Sequence, residues 1–386
     1  MIFIERKNKF MKNPKTFILI FLVTSFVVIT FILNHLGILK IYMYNDEELT
    51  ITTNQLIPYI TKISSHPDNL FYYKTKVIYP DGTPARFRRV EIKIDGQAKA
   101  ISKNSFTNKQ GEILFYIKPK IAEDKPLLEE KTVKVYSGLK QSDIKTLNTI
   151  KLTPIPVLFV HGYRDFDYSF NNLKNFLTEK GFTCFKYQYD STKGIKSSAN
   201  DLSNILDKKR REMFEEQILV NKFNLVAHSY GGLVARFYTS TKQYKLKRND
   251  VSKIIFLATP HQGTPLATIG KSIYDDETIR DLSTDSTLFV DKFPNMINRG
   301  LNNQLQIGNI IVQYDELVSP ESSKLDRWQI PTKMYNVGED KRILQNIIQP
   351  DFHEKANHHL ILNNKKIFEE IYKMLTSKLP HPQILR

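Results

Sequence analysis

Ser229 is the residue with the clearest chemical prospects, because Asn224-Leu225-Val226-Ala227-His228-Ser229-Tyr230-Gly231-Gly232 reads as a buried strand ending in a serine on a tight turn into a helix. Such a turn lifts the serine Oγ clear of the sheet edge and needs small residues two before and two after it. Those residues are Ala227 and Gly231, so the usual Gly-x-Ser-x-Gly is altered to Ala-x-Ser-x-Gly, a mild change since a methyl group still fits. A serine hydroxyl is a weak nucleophile at neutral pH. It needs an imidazole to take its proton and a carboxylate to hold that imidazole in the right tautomer. Upstream, Val157-Leu158-Phe159-Val160-His161-Gly162-Tyr163 is an apolar run of strand length that stops at a His-Gly pair, as a buried parallel strand would.

These two segments together resemble the α/β-hydrolase superfamily. In that family a His-Gly pair follows the third strand, and the resemblance makes the backbone N–H groups of Tyr163 and Tyr230 the oxyanion-hole donors. Ile254-Ile255-Phe256-Leu257-Ala258-Thr259-Pro260-His261-Gln262-Gly263-Thr264 resembles the sixth strand and following loop of serine lipases, esterases and lipid-ester deacylases. The likeness runs over roughly residues 150 to 380 and implies carboxylic-ester chemistry on acyl lipids. Ser229 argues against the branch of this fold that uses an Asp nucleophile.

The resemblance also implies the order Ser, acid, His. Ile310 to Ser323 is similar to the lipase loop in which an acid leaving a strand is followed by Val-Ser-Pro, which makes Asp315 the acid, with Glu316 and Asp340 as competitors. The base is one of the pair in Ala356-Asn357-His358-His359-Leu360-Ile361-Leu362-Asn363. Similar lipases place two aliphatic residues three and four positions after the histidine, which favours His358 over His359, with His353 a distant third.

His228 and His161 read as packing or hydrogen-bonding residues, and His261 and Gln262 as pocket rim or loop support. No His, Cys and carboxylate cluster has the compact spacing of a structural zinc site, and no Gly-rich loop ends in Gly-Lys-Ser or Gly-Lys-Thr. The expectation is therefore no metal and no nucleotide cofactor.

The elements that position this chemistry start at the N-terminus. Phe17 to Leu33 is apolar apart from Thr24, Ser25 and Thr30, and follows Lys7, Lys9, Lys12 and Lys15. As a helix those residues reach roughly 26 Å, near the thickness of a bilayer core. Residues 1–44 thus read as a cytoplasmic basic stub and an uncleaved single-pass signal anchor, with the rest of the chain extracytoplasmic by the positive-inside rule. The alternative is a secreted chain after signal-peptide cleavage, although no obvious small-x-small site follows the run. After a linker at 45–69, residues 70–137 alternate in short runs bounded by turns: Val90, Ile92 and Ile94 against Glu91, Lys93 and Asp95, then Ile113 to Ile117, then Val133 and Val135. This is the pattern of a small antiparallel β-sandwich and looks like immunoglobulin-like or transthyretin-like modules. Glu123 to Glu130 reads as one of its loops, and 138–154 as a second linker.

Residues 155–386 alternate strands and helices as a mostly parallel sheet with helices on both faces requires. Tyr168 to Lys180 reads as a helix ending at Gly181, Leu202, Ile205, Leu206 and Met213 recur at helical spacing, and Phe182 to Tyr187 reads as a strand with Cys184 a buried, inert thiol. The interval 266–309 is long for a connection and carries Ile273, Leu282, Leu288, Phe289, Phe293, Met296 and Ile297. It reads as a cap whose apolar residues either hold an acyl chain or pack on the body.

The single cysteine rules out an intramolecular disulfide framework. The 56 Lys and Arg against 40 Asp and Glu, net +16, are scattered without a nucleic-acid motif. They favour an anionic membrane face or a cell-envelope polymer as partner, and not nucleic acid. The sequence thus reads as a membrane-anchored serine hydrolase of acyl-lipid esters acting through Ser229, His358 and Asp315. The alternatives are an idle hydrolase scaffold that binds an envelope component, and an acyltransferase using the same triad.

Overall fold

The computed structural model describes residues 14–35, 38–57, 60–121, 127, 129–139, 145–242, 248–272, 275–339 and 356–383. Lys7, Lys9, Lys12, Ile273, Asp340, His353 and the segment 123–126 lie outside them. The elements in chain order are helices α1 (Pro14–His35) and α2 (Ile38–Met43), then strands β1 (Thr50–Gln55), β2 (Lys62–Ser64), β3 (Phe71–Ile78), β4 (Glu91–Asp95), β5 (Ala98–Ser102), β6 (Glu112–Pro119), β7 (Lys131–Gly138), β8 (Lys145–Thr153) and β9 (Val157–Val160). They continue with α3 (Asn171–Glu179), β10 (Cys184–Phe185), α4 (Gly194–Glu215), β11 (Ile218–Leu219), β12 (Phe223–His228), α5 (Tyr230–Phe237), β13 (Val251–Leu257), α6 (Pro265–Gly270) and α7 (Glu277–Leu282). The last are β14 (Gln306–Val312), α8 (Pro320–Ser323), β15 (Thr332–Tyr335), α9 (Asn357–Leu360) and α10 (Lys365–Leu375). Two compact units result, one from 1–58, 70–118 and 134–149, the other from 59–69, 119–133 and 150–386.

In the first unit, Ile18–His35 of α1 has a mean hydropathy of 2.3 and is long and apolar enough to cross a membrane. Its apolar side chains, such as Phe26 and Phe31, lie open. Arg88 donates to the carbonyls of Lys40, Ile41 and Tyr44 at the end of α2, at 3.3, 3.1 and 2.7 Å, and so adds a side-chain donor where the helix runs out of backbone N–H groups. β1, β3, β6 and β5 form one sheet, in which β3 runs antiparallel to β1 and β6, and β4 pairs antiparallel with β7. Alternate residues of β3 and β6 (Phe71, Tyr73 and Val77; Ile113, Phe115 and Ile117) are buried. Val77 and Ile113 share a core with Val90 and Leu139. The stretch read as a linker at 45–69 therefore contains β1, which pairs with β3, and β2, which pairs with β8 in the second unit. Its Thr-rich strand lacks the apolar alternation that marks a strand in sequence.

The second unit is built on a six-stranded parallel sheet in the order β10-β9-β12-β13-β14-β15. Its central strands are buried on both sides, and successive residues serve opposite cores. Leu158, Val160, Leu225, Ala227, Ile254 and Phe256 pack with Ile195, Leu202 and Leu206 of α4 and Leu233 and Val234 of α5. Val157, Phe159, Val226, Ile255 and Leu257 pack with Leu173 and Leu177 of α3 and Ile367, Ile371 and Leu375 of α10. Near-continuous apolar strands between two helical layers are what a parallel sheet demands. This is the α/β-hydrolase fold, with helices on both faces.

Local differences have local causes. The helix read from Tyr168 begins as a 3-10 turn at Asp167–Phe170 before α3, and Gly181 follows at φ 90°. Only Cys184 and Phe185 of the segment 182–187 are a strand, paired with the sheet edge at Val157 and Leu158. Cys184 is half-buried rather than buried, and desolvation pushes its thiol up to about 12, so it is inert all the same.

Close packing between α5 and β9 fixes Gly231, where a Cβ would lie 2.4 Å from the carbonyl oxygens of Val160 and His161. Backbone cannot yield as a flexible side chain can, so Gly231→Ala should lower unfolding free energy by about 1–3 kcal/mol. A denaturant titration should show this as a lower midpoint; an unchanged midpoint would mean the helix can shift freely.

Candidate active site

Ser229 follows the last residue of β12 and precedes the first of α5, with φ 54° and ψ −128°. A non-glycine residue at positive φ is strained, and strain of this kind persists only where the surroundings impose it. Here the imposing contacts are a hydrogen bond from the Ser229 N–H to the Leu257 carbonyl (2.8 Å) and one from the Gly232 N–H back to the Ser229 carbonyl (2.9 Å). Gly162 completes the fit, since a Cβ there would lie 3.1 Å from the Ser229 Cβ and 3.6 Å from its Oγ. Gly232 leaves room for Thr259 in the same way.

The loop after β14 brings Asp315 to the loop carrying α9. His358 Nδ1 donates to Asp315 Oδ2 at 2.7 Å, with both side chains buried. The other carboxylate oxygen, Oδ1, accepts from the N–H groups of Leu317 (2.9 Å) and Val318 (2.8 Å), which fixes its direction. Burial opposes a charge on His358, but the charge and hydrogen bond of Asp315, with Glu316 and Asp165 behind them, outweigh it, so its pKa lies above the ordinary histidine value. With Nδ1 committed to Asp315, Nε2 is the nitrogen left for proton transfer.

Glu316 is engaged elsewhere: it accepts the N–H groups of Asn357 (3.1 Å) and His358 (3.3 Å). Asn357 Nδ2 donates to the Tyr314 carbonyl at 2.9 Å and to that of Glu339 at 2.7 Å. Sequence reading treats Glu316 only as a rival acid; its role as a backbone clamp depends on a neighbour 41 residues away. His359 is half-exposed and packs its ring on His228, at 5.3 Å between centroids.

Ser229 and His358 line one mostly apolar cavity of about 290 Å³ with Gly162, Tyr163, Leu266, Ala267, Gly270, Ile279, Leu282, Leu317 and Val318. Ser229 Oγ makes no hydrogen bond among the described residues, and such contacts commonly tighten only with substrate in place. Tyr163 follows Gly162 at the cavity wall. Tyr230 is the first residue of α5, where an N–H has no acceptor within its own helix. The Tyr230 side chain is buried away from this site near Ser198 and Thr278, both at 3.3 Å.

The remaining histidines fall into structural places. His161 donates from Nδ1 to the Gly162 carbonyl (3.0 Å) and accepts the Tyr189 N–H at Nε2 (3.4 Å), which holds the loop. His228 donates from Nε2 to the His358 carbonyl at 2.9 Å. His261 and Gln262 line a separate cavity with Arg236 and Trp328. Within 266–309, Leu282 packs on the body and also lines the Ser229 cavity, Leu288 and Met296 pack on the body, and Phe293 packs on the body while lining the separate cavity.

Residues 197–279, which hold most of α4, the Ser229 turn and β13, match the profile of the PGAP1-like alpha/beta domain. Among solved structures, the mature Bacillus licheniformis lipase BlEst2 is similar at 16% identity over 57% of this chain and 92% of that one, with a TM-score of 0.42. Its propeptide form is similar at 15% identity over 60% of this chain, which spans about half of that longer protein (52%), with a TM-score of 0.45. The metagenomic carboxyl esterase MGS0156 is similar at 12% identity over 58% of this chain and 77% of that one, with a TM-score of 0.41. No curated protein sequence matches the chain.

If neutral His358 is the working form, activity rises with pH through a midpoint above the ordinary imidazole value of about 6.5. Asp315→Asn removes the charge that raises it, so the acid-side midpoint of kcat/KM should fall and kcat should drop by about 10⁴-fold. A pH–rate profile of both proteins checks this; an unmoved midpoint would separate Asp315 from the titrating group.

Proposed function

We propose that the chain is a serine hydrolase of carboxylic esters, acting on acyl lipids, with Ser229 as nucleophile, His358 as general base and Asp315 as the group that orients it. The observation that carries this reading is the meeting of a strained serine and a carboxylate-bound histidine at one apolar cavity. His358 Nε2 takes the Ser229 proton as Oγ attacks the acyl carbonyl. The N–H groups of Tyr163 and Tyr230 then stabilise the oxyanion, each worth on the order of 3 kcal/mol. The protonated imidazole returns its proton to the departing alcohol, and water, activated by the same nitrogen, releases the acid.

The apolar lining suits an acyl chain better than a sugar, because Leu266, Ile279, Leu282, Leu317 and Val318 offer it no hydrogen bonds. About 290 Å³ lies at the low end of ligand cavities, which favours short to medium acyl chains. Helix α1 acts as a single-pass anchor in this reading, which keeps the hydrolase body beside its lipid substrate outside the cytoplasm. The net charge of +16 supports attraction to an anionic membrane face or cell-envelope polymer.

Hydrolysis of p-nitrophenyl esters from acetyl to palmitoyl by the full chain in detergent micelles tests the reading. Turnover should favour acyl chains well short of palmitoyl, and Ser229→Ala should abolish it, a loss on the order of 10⁶-fold. Turnover that survives Ser229→Ala, or none at all from folded protein, would favour the binding scaffold instead. Gly270 lines the cavity, and a Cβ there meets only Ile279, at 3.5 Å. Gly270→Leu should therefore reduce octanoyl turnover well below acetyl turnover; an equal loss on both would remove this wall from the acyl site.

A further inference from the structure

Beside the Ser229 cavity, two buried polar atoms face one another with no hydrogen-bond partner. His228 Nδ1 lies 3.7 Å from Asp165 Oδ2, beyond hydrogen-bond length, and neither atom has another partner. The remaining atoms of both side chains are committed. His228 Nε2 sits 2.9 Å from the His358 carbonyl, which can only accept, so Nε2 carries the proton and Nδ1 presents a lone pair. Asp165 Oδ1 accepts from the Phe166 N–H at 2.8 Å and the Ser169 hydroxyl at 2.5 Å, leaving Oδ2 to point at that lone pair. A lone pair opposite a carboxylate oxygen is repulsive unless a positive centre lies between them. His359 offers a third ligand: one of its ring nitrogens, a ring nitrogen of His228 and a carboxylate oxygen of Asp165 all lie within 4.8 Å of one another.

We propose that Asp165, His228 and His359 form a binding site for a divalent zinc-like cation, held through Asp165 Oδ2, His228 Nδ1 and a ring nitrogen of His359. Zinc bonds of about 2.0–2.2 Å in a tetrahedron set neighbouring ligand atoms about 3.4 Å apart, so the 3.7 Å pair is already close to its bound separation. Two imidazoles and one carboxylate suit zinc, whereas magnesium and calcium favour oxygen. The fourth position is left to solvent. Both buried ligands are oriented through their far atoms, as metal ligands commonly are. The cation would tie the loop after β9 to the end of β12 and to α9, three segments that also carry the oxyanion turn, the serine and the base. The sequence expectation of no metal rests on compact spacing, whereas these ligands come from positions 165, 228 and 359.

Equilibrium dialysis of the full chain in detergent micelles, stripped of metal and then exposed to zinc, tests the site. One zinc per chain is expected. Asp165→Asn and His359→Gln should each weaken it by more than the roughly 10–100-fold that losing a ligand's supporting partner costs. No bound zinc, or zinc held equally well by both variants, would overturn the proposal. Should the variants fail to fold, cobalt added to the wild-type chain decides: a tetrahedral visible spectrum supports the site, and an octahedral one or none contradicts it.

Discussion

The close approach of β9, β12 and the N-terminus of α5 is the constraint on which the rest of the active site depends. Ser229 adopts a left-handed backbone conformation because the chain must leave a buried parallel strand and enter a helix within one residue. That turn fits only if Gly162, Gly231 and Gly232 lack side chains, since a Cβ at each would press on Ser229, on the carbonyls of Val160 and His161, or on Thr259. The packing energy of two apolar layers holds the strands, and the strands hold the strain. The serine is thereby exposed without any flexibility being asked of it.

A second set of bonds positions His358, the proposed base. Asp315 and Glu316 stand next to one another on the loop after β14, yet one orients the His358 ring and the other grips the backbone that carries it. Adjacent carboxylates with separate tasks position the imidazole in both direction and height. His228, the residue before Ser229, adds a third tie through the His358 carbonyl. His358, the proposed base, is thus held from the acid loop and from the strand that ends at Ser229, so residues far apart in sequence are brought together with the close tolerance that proton transfer would require.

Much of this was legible in sequence for physical reasons. Parallel strands buried on both faces read as unbroken apolar runs, so β9, β12 and β13 stand out, and the small residues around Ser229 announce the turn. The amphipathic stripe of α10 marks the end of the body. What stayed hidden depends on long-range partners. Glu316 looks like any loop carboxylate until Asn357 is beside it, and β1 has a Thr-rich sequence whose pairing with β3 no local pattern declares. Cys184 occupies a strand of only two residues at the sheet edge, so apolar composition overstated both its strand and its burial. Which apolar residues of 266–309 reach a cavity, such as Leu282, and which only pack on the body, such as Leu288, carries no periodic signature in sequence.

In the proposed mechanism Ser229 is a nucleophile activated by its surroundings rather than merely a serine in a tight turn. The most direct measurement is to expose the full chain in micelles to a fluorophosphonate probe and map the adduct by peptide mass spectrometry. A single stoichiometric adduct on Ser229, lost when the protein is unfolded before exposure, is expected. An unmodified chain, or a probe attached to another serine, would contradict it.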